Sequence, residues 1–162
     1  MQRVLQTVEA IARKADCEPM IDSRLIERNY GSWEGLTQIE AQSNDPELFD
    51  AYHADPTILS PPNGETGIDV FCRVGYFVVD ILRSHQEGTI LVMSHGGTIS
   101  SLIAVAINAS PATANAFRIR NCSITEIRFL ANGRRRLVRF DDVSHLADSP
   151  IDAYSGLQPT NK

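Results

Sequence analysis

The stretch Thr89-Ile90-Leu91-Val92-Met93-Ser94-His95-Gly96-Gly97-Thr98-Ile99-Ser100-Ser101-Leu102-Ile103 decides how the rest of the chain is read. It opens with a short apolar run rich in branched residues, at positions 90–93. Such a run reads as a buried strand of a parallel sheet. Ser94, His95, Gly96 and Gly97 cannot continue a strand comfortably. Residues 98–107 then carry apolar side chains at helical spacing, with Thr98 or Ser100 available as a cap. The order is strand, tight turn, helix, with His95 at the strand's carboxyl end, where open α/β sheets place their ligands. Free N–H groups at a helix start beside two glycines suit an anion such as phosphate, so Gly96 joins His95 as a candidate contact. The competing reading is a buried histidine satisfied by backbone, with glycines serving only the turn. The place of His95 between a strand end and Gly-Gly favours function.

Working outward, residues 67–85 read as a helix with a stripe of Val70, Val74, Phe77, Val78, Ile81 and Leu82. Residues 2–15 read as an amphipathic helix through Leu5, Val8, Ile11 and Ala12. Residues 18–21 read as a short strand, and residues 22–35 as an irregular loop. Helices are expected over 36–41, where Thr37 and Glu40 fit a capping box, and over 47–53. Residues 55–66 hold three prolines and Asn63-Gly64, and read as a loop. A hairpin is expected from residues 123–130 and 137–140 around Asn132-Gly133. The pattern is α/β, a single domain over 1–147 followed by a polar tail, 148–162, expected to be poorly ordered. It is unusual in beginning on a helix rather than a strand.

Composition narrows the function classes. A chain of 162 residues holds one domain with a sizeable core. The net charge of −5 argues against nucleic acid as a partner. No apolar run approaches the roughly 20 residues of a membrane span, and no signal-peptide core is seen, so no membrane partner and a cytoplasmic location are expected. Cys17, Cys72 and Cys122 lack metal-ligand spacing and read as small core residues in a reducing compartment. A P-loop, a Gly-x-Gly-x-x-Gly, a Gly-x-Ser-x-Gly elbow and a zinc-spaced histidine pair are all absent, so neither cofactor nor metal is expected.

Glu27 lies in a loop rich in charge, glycine and aromatics, from Arg24 to Gly35. A carboxylic acid near a phosphate-binding histidine can protonate a leaving alkoxide. For Glu34 a solvated charge is an equal reading. Arg3 has the guanidinium that suits phosphate, although from the residues alone a surface position on an exposed helical face is the stronger reading. Glu65 is expected to cap the following helix, and Arg73 to pair with an acid across helical turns. His53, His85 and His145 have no glycine turn or phosphate cradle around them.

Four pieces in this order resemble the histidine phosphatase superfamily, also called phosphoglycerate mutase-like. They are residues 1–9 around Arg3, Gln6 and Thr7; residues 25–35 with Glu27, Gly31, Trp33, Glu34 and Gly35; Gly64-Glu65-Thr66 followed by Arg73; and Val92-Met93-Ser94-His95-Gly96-Gly97. Asp142, His145 and Leu146 match the common ending. The resemblance covers nearly the whole chain. It implies a three-layer sandwich around a mostly parallel central sheet, and hydrolysis of phosphomonoesters through a phosphohistidine. Carried over by motif, His95 is the second phosphate-pocket histidine, Arg3 the second phosphate arginine and Glu27 the acid–base residue. Arg28 and Tyr30 resemble substrate-facing positions of the mutase branch. The middle loop resembles the phosphatase branch more closely.

The family's nucleophile lies in an Arg-His-Gly motif at the end of its first strand. No Arg-His-Gly occurs in this sequence. The expectation is therefore a domain incomplete at its N-terminus, lacking the first strand, the nucleophile and one phosphate arginine, and inactive as written. Unpaired sheet edges would then favour self-association. The alternatives are a catalytically dead member binding a phosphorylated ligand or protein, a rearranged enzyme that borrows a strand from another chain, and a mutase-type phosphotransferase.

Overall fold

The computed structural model describes residues 2–147, so the tail expected at 148–162 lies outside the described residues. Five α-helices are described: α1 Gln2–Ala15, α2 Gln38–Asn44, α3 Pro46–Ala54, α4 Gly67–Ser84 and α5 Gly96–Ala106. Two strands follow, β1 Ile124–Phe129 and β2 Arg135–Asp142.

Each helix begins where local chemistry starts it. Thr37 and Glu40 form the expected capping box of α2, and Asp45 with Pro46 starts α3. For α4 the cap is Thr66, whose hydroxyl accepts from Asp69 N while Asp69 accepts from Thr66 N. Glu65 does not cap this helix, because the Pro56 and Thr57 carbonyls accept from Gly67 N and Ile68 N, and Thr66 accepts from Asp69 N.

The core lies between α4 and α5. Val70, Val74, Phe77 and Val78 are buried, with Leu25, Ile81, Leu82, Val92, Leu102 and Val105 packed against them. From α5, Ile103 and Ala104 are 1% and 0% exposed. This is the apolar stripe that the period of α4 predicts. Helix α1 buries none of its residues fully, and Ile11 of its stripe is exposed.

Strands β1 and β2 form an antiparallel hairpin, irregular between Ile124 and Ile127, which is the one sheet among the described residues. Gly133 makes its turn with φ +78, as Asn132-Gly133 predicts. From β2, the Arg135 guanidinium donates to the Val105 carbonyl at 2.8 Å, tying the hairpin to the C-terminal end of α5. The strands expected at 18–21 and 90–93 are not formed, and no parallel ladder exists among the described residues. The physical reason is pairing: a strand is defined by its neighbour, and neither segment has one here. Met20, Ile21, Ile90 and Leu91 are exposed accordingly.

The cysteines also depart from expectation. Cys17, Cys72 and Cys122 are all exposed free thiols rather than core residues. Cys72 follows the outward face of α4, and Cys122 sits in a turn with φ +59.

Ile103→Ala is expected to cost about 2–5 kcal/mol, because it opens a cavity between α4 and α5. Ile39→Ala, at a position 77% exposed, is expected to change stability by less than about 0.5 kcal/mol. Urea unfolding of the two variants measures both.

Candidate functional site

Two loops meet backbone to backbone beside the core. Ser32 N donates to the Pro62 carbonyl at 2.9 Å, and Glu65 N donates to the Asn29 carbonyl at 2.8 Å. Gly31 has φ +52, and a Cβ there would fall 2.1 Å from the Pro62 oxygen, so only glycine fits. The Glu65 carboxylate accepts from Arg73 Nε at 2.8 Å and from Asn29 N at 2.9 Å. Arg73 also donates to the Arg24 carbonyl at 2.5 Å. These contacts replace the pairing within α4 expected of Arg73: its acid lies before the helix, and the pair fixes the loop that carries Glu27. Arg73 and Asn29 outweigh burial and hold the Glu65 carboxyl below its usual range, although burial, the largest single influence, pushes the other way.

The same loop is fastened to the start of α5. Ser94 Oγ donates to the Leu25 carbonyl, and Thr98 Oγ1 to the Ile26 carbonyl, each at 2.6 Å. Thr98 is wholly buried and spends its hydroxyl here rather than capping α5; the cap position belongs to His95. Glu27 Oε1 accepts from Arg28 N at 3.0 Å and from Thr98 N at 3.3 Å. A Cβ on Gly97 would lie 3.0 Å from the same oxygen. Gly97 is thus the gap through which the acid reaches the helix N-terminus.

His95 is 6% exposed. Arg3 Nη2 lies 3.0 Å from His95 Nδ1. A guanidinium only donates, so Nδ1 accepts and the ring proton sits on Nε2. Burial lowers the His95 pKa below its ordinary value; Glu27 opposes that shift, and the Arg3 charge adds to it. The ring is therefore neutral at pH 7, with one N–H to offer. The N–H groups of Gly96 and Gly97, the first two of α5, have no hydrogen-bond partner among the described residues.

Arg3, Glu27 and His95 line one cavity of about 670 Å³, together with Arg28 and Tyr30. Residues 92 positions apart, Arg3 and His95, are thus brought into contact. Gly96 follows His95 at the head of α5. Arg28 lines the cavity but donates to the carbonyls of Glu65, Pro56 and Leu59 at 2.9–3.1 Å. Tyr30 is pushed up to about 12, chiefly by burial, with Tyr52 and Glu27 adding to it. Sequence reasoning missed the far wall, made by Trp33, Phe49, Tyr52 and His53. The i, i+3, i+4 spacing of Phe49, Tyr52 and His53 puts them on one face of α3, and that was the available signal. His85 and His145 lie outside this cavity. Among the described residues no three His, Cys, Asp or Glu side chains converge as metal ligands, and no helix is long and apolar enough to cross a membrane.

The sequence matches the model of the histidine phosphatase superfamily (branch 1) over residues 1–143, and the chain belongs to that family. It is 33% identical over 133 residues to a bifunctional protein of Mycobacterium tuberculosis, covering 82% of this chain and 36% of that one. The chain thus spans about a third of that relative. Among solved structures it is similar to Bacillus stearothermophilus YhfR, with TM-score 0.79 and 29% identity over 89% of this chain and 71% of that one. It is also similar to a mycobacterial glucosyl-3-phosphoglycerate phosphatase solved with VO3, with TM-score 0.75 and 26% identity over 86% and 72%. These likenesses support the α/β, phosphoglycerate mutase-like fold.

Alanine for glycine in a helix normally stabilises by about 0.5–1 kcal/mol. Gly75→Ala, with nothing within 4 Å of the added methyl, is expected to follow that rule. Gly97→Ala is expected to reverse the sign, because the methyl displaces Glu27 from Thr98 N. Denaturant midpoints of the two variants test this. For His95 the folded pKa lies below the ordinary 6.5 of the unfolded chain. Its contribution to stability is therefore complete above 6.5 and lost as pH falls through the folded value. His95→Gln is expected to flatten the stability profile in that acid window, and imidazole NMR should show His95 titrating below 6.5.

Proposed function

We propose that the cavity is the phosphoryl-binding and proton-donating side of a phosphomonoesterase site. The observation that carries this reading is the Arg3–His95 contact at the head of α5, with Glu27 in the same cavity. Arg3, His95 Nε2–H and the Gly96 N–H present donors of different geometry to a tetrahedral dianion. Glu27 has Oε1 engaged by two backbone N–H groups, so a proton it carries sits on Oε2. From there it is delivered to the leaving oxygen of the ester. The relative solved with VO3 fits an oxyanion at such a site.

Hydrolysis through a phosphohistidine needs a second imidazole facing the phosphorus. His53 lines the cavity, but its Nδ1 contacts the Phe49 carbonyl at 2.8 Å and its ring stacks on Phe49, so it belongs to the wall. In our reading the nucleophile and the first strand of the sheet are carried by a segment outside these 162 residues. That strand would pair with residues 90–93, whose Ile90 and Leu91 stand exposed. Unpaired, the same edge favours self-association. We place the protein in the cytoplasm.

The 162-residue chain is expected to bind inorganic phosphate but not to turn over p-nitrophenyl phosphate. Phosphate should raise the His95 pKa in NMR, and Arg3→Ala should weaken binding about 10-fold or more. A longer form with an Arg-His-Gly strand should hydrolyse the ester and lose about 100-fold or more in Glu27→Gln. Turnover by the present chain that vanishes in His95→Ala would overturn the assignment of the nucleophile. An inert longer form that still binds phosphate would favour a binding protein.

A further inference from the structure

The cavity has two unlike halves. One holds Arg3, His95 and Glu27. The other is aromatic, and its rings brace one another. Trp33 meets Tyr52 edge-on with centroids 5.1 Å apart, and Phe49 at 5.6 Å. Tyr52 is buried, so this wall is held from behind rather than swinging in solvent. Burial pushes the phenols of both Tyr30 and Tyr52 up, so both rings are uncharged at neutral pH.

The charges at this end point the same way. Arg28 is the cation of the aromatic half, and two of its three nitrogens are committed. Its Nε and Nη2 hold three backbone carbonyls, and its Cζ lies 5.2 Å from the centroid of the Tyr52 ring and 5.9 Å from that of Tyr30. Glu34 also lines the cavity and adds negative charge. A ligand with a second anionic group would meet the Glu34 carboxylate and an arginine whose Nε and Nη2 are already engaged by backbone carbonyls. A flat uncharged group would meet ring faces and edges. The volume, about 670 Å³, leaves ample room beyond a phosphate.

Resting on the phosphoryl site described above, we propose that this cavity selects phosphomonoesters whose leaving group is a planar, uncharged ring, and rejects those with a second anion. Trp33, Phe49 and Tyr52 determine this specificity by packing on the ring, and Glu34 by repelling an added carboxylate.

Trp33 is the sole tryptophan of the chain, so its emission reports binding directly. The full 162-residue chain is titrated with inorganic phosphate, phenyl phosphate, glycerol 3-phosphate and 3-phosphoglycerate. Phenyl phosphate is expected to bind about 10-fold or more tighter than glycerol 3-phosphate, from ring packing and buried apolar area. The acid 3-phosphoglycerate is expected to bind no better than inorganic phosphate. In Phe49→Ala the ratio of phenyl phosphate to glycerol 3-phosphate affinity should fall below about 3-fold. In Glu34→Gln the discrimination against 3-phosphoglycerate should shrink. Calorimetry repeats the wild-type comparison without relying on fluorescence. If inorganic phosphate binds through Arg3 but phenyl phosphate gains nothing over glycerol 3-phosphate, or 3-phosphoglycerate binds best, the specificity proposal fails and the phosphoryl site stands. If no phosphate compound binds, both fail.

Discussion

The seating of residues 24–29 on the head of α5 is the constraint on which the site depends. Leu25 and Ile26 offer carbonyls to Ser94 and Thr98, and Glu27 takes the Thr98 N–H. From the other side, Arg73 holds the Arg24 carbonyl, and Glu65 holds Asn29 N. Every one of these bonds joins a side chain to a backbone group, so the loop's path is fixed rather than merely its surface. An acid has to be placed within a hydrogen-bond length to be useful, and a loop of this composition has no periodic structure of its own to do so. The rigid parts are α4 and α5, and the loop borrows their rigidity through Arg73, Ser94 and Thr98. Arg73 is three residues from the buried Val70 and one from Val74, so the core and the clamp share a helix.

Helices in this chain were legible because their information is local. The α4 stripe, the Thr37–Glu40 box and the Asn132-Gly133 turn each lie within a few residues of what they specify. Strands at 18–21 and 90–93 were not, since apolar patterning gives a strand its composition but not its neighbour. The site was legible only in part. Glu27, Arg3 and His95 stood out through chemistry and motif, and they do share a cavity. The aromatic wall escaped because Phe49 and Tyr52 sit on a short helix that reads as packing, while Trp33 reaches them from a different segment. Glu65 was misread for a related reason. Its position just before a helix fits a capping role, and only the fold reveals that Arg73 and Asn29 N claim it instead. Cysteines at 17, 72 and 122 show the weakness of a burial preference by residue type when nothing in the local pattern supports it.

The tautomer of His95 ties the electrostatics together. Arg3 on Nδ1 forces the ring to present Nε2–H while remaining neutral. A neutral donor is useful where the ligand is a dianion and the neighbour is a carboxylic acid. A charged imidazolium would repel Arg3 and lose the Nδ1 contact. In the proposed phosphoryl site, a neutral ring would attract phosphate less strongly, and Arg3 with the N–H groups of Gly96 and Gly97 would offset that. Burial, which lowers the His95 pKa, and the Arg3 contact, which occupies Nδ1, therefore act in the same direction.

An anion arriving at this site changes that balance. In the proposed phosphoryl site, an anion bound against Nε2–H would stabilise positive charge on the ring and neutralise part of Arg3. The protonated ring then becomes less costly, although protonation at Nδ1 still requires Arg3 to turn away. Arg3 lies on α1, the helix with no fully buried residue, so it is the member of the site most able to move. Glu27 and His95 are held by α4 and α5, whose contacts form the core. The cavity thus combines a fixed carboxyl group and imidazole with a guanidinium on a helix that buries no residue fully. Ligand contact with Arg3 would then stabilise the docking of α1, coupling phosphate occupancy to the order of that helix.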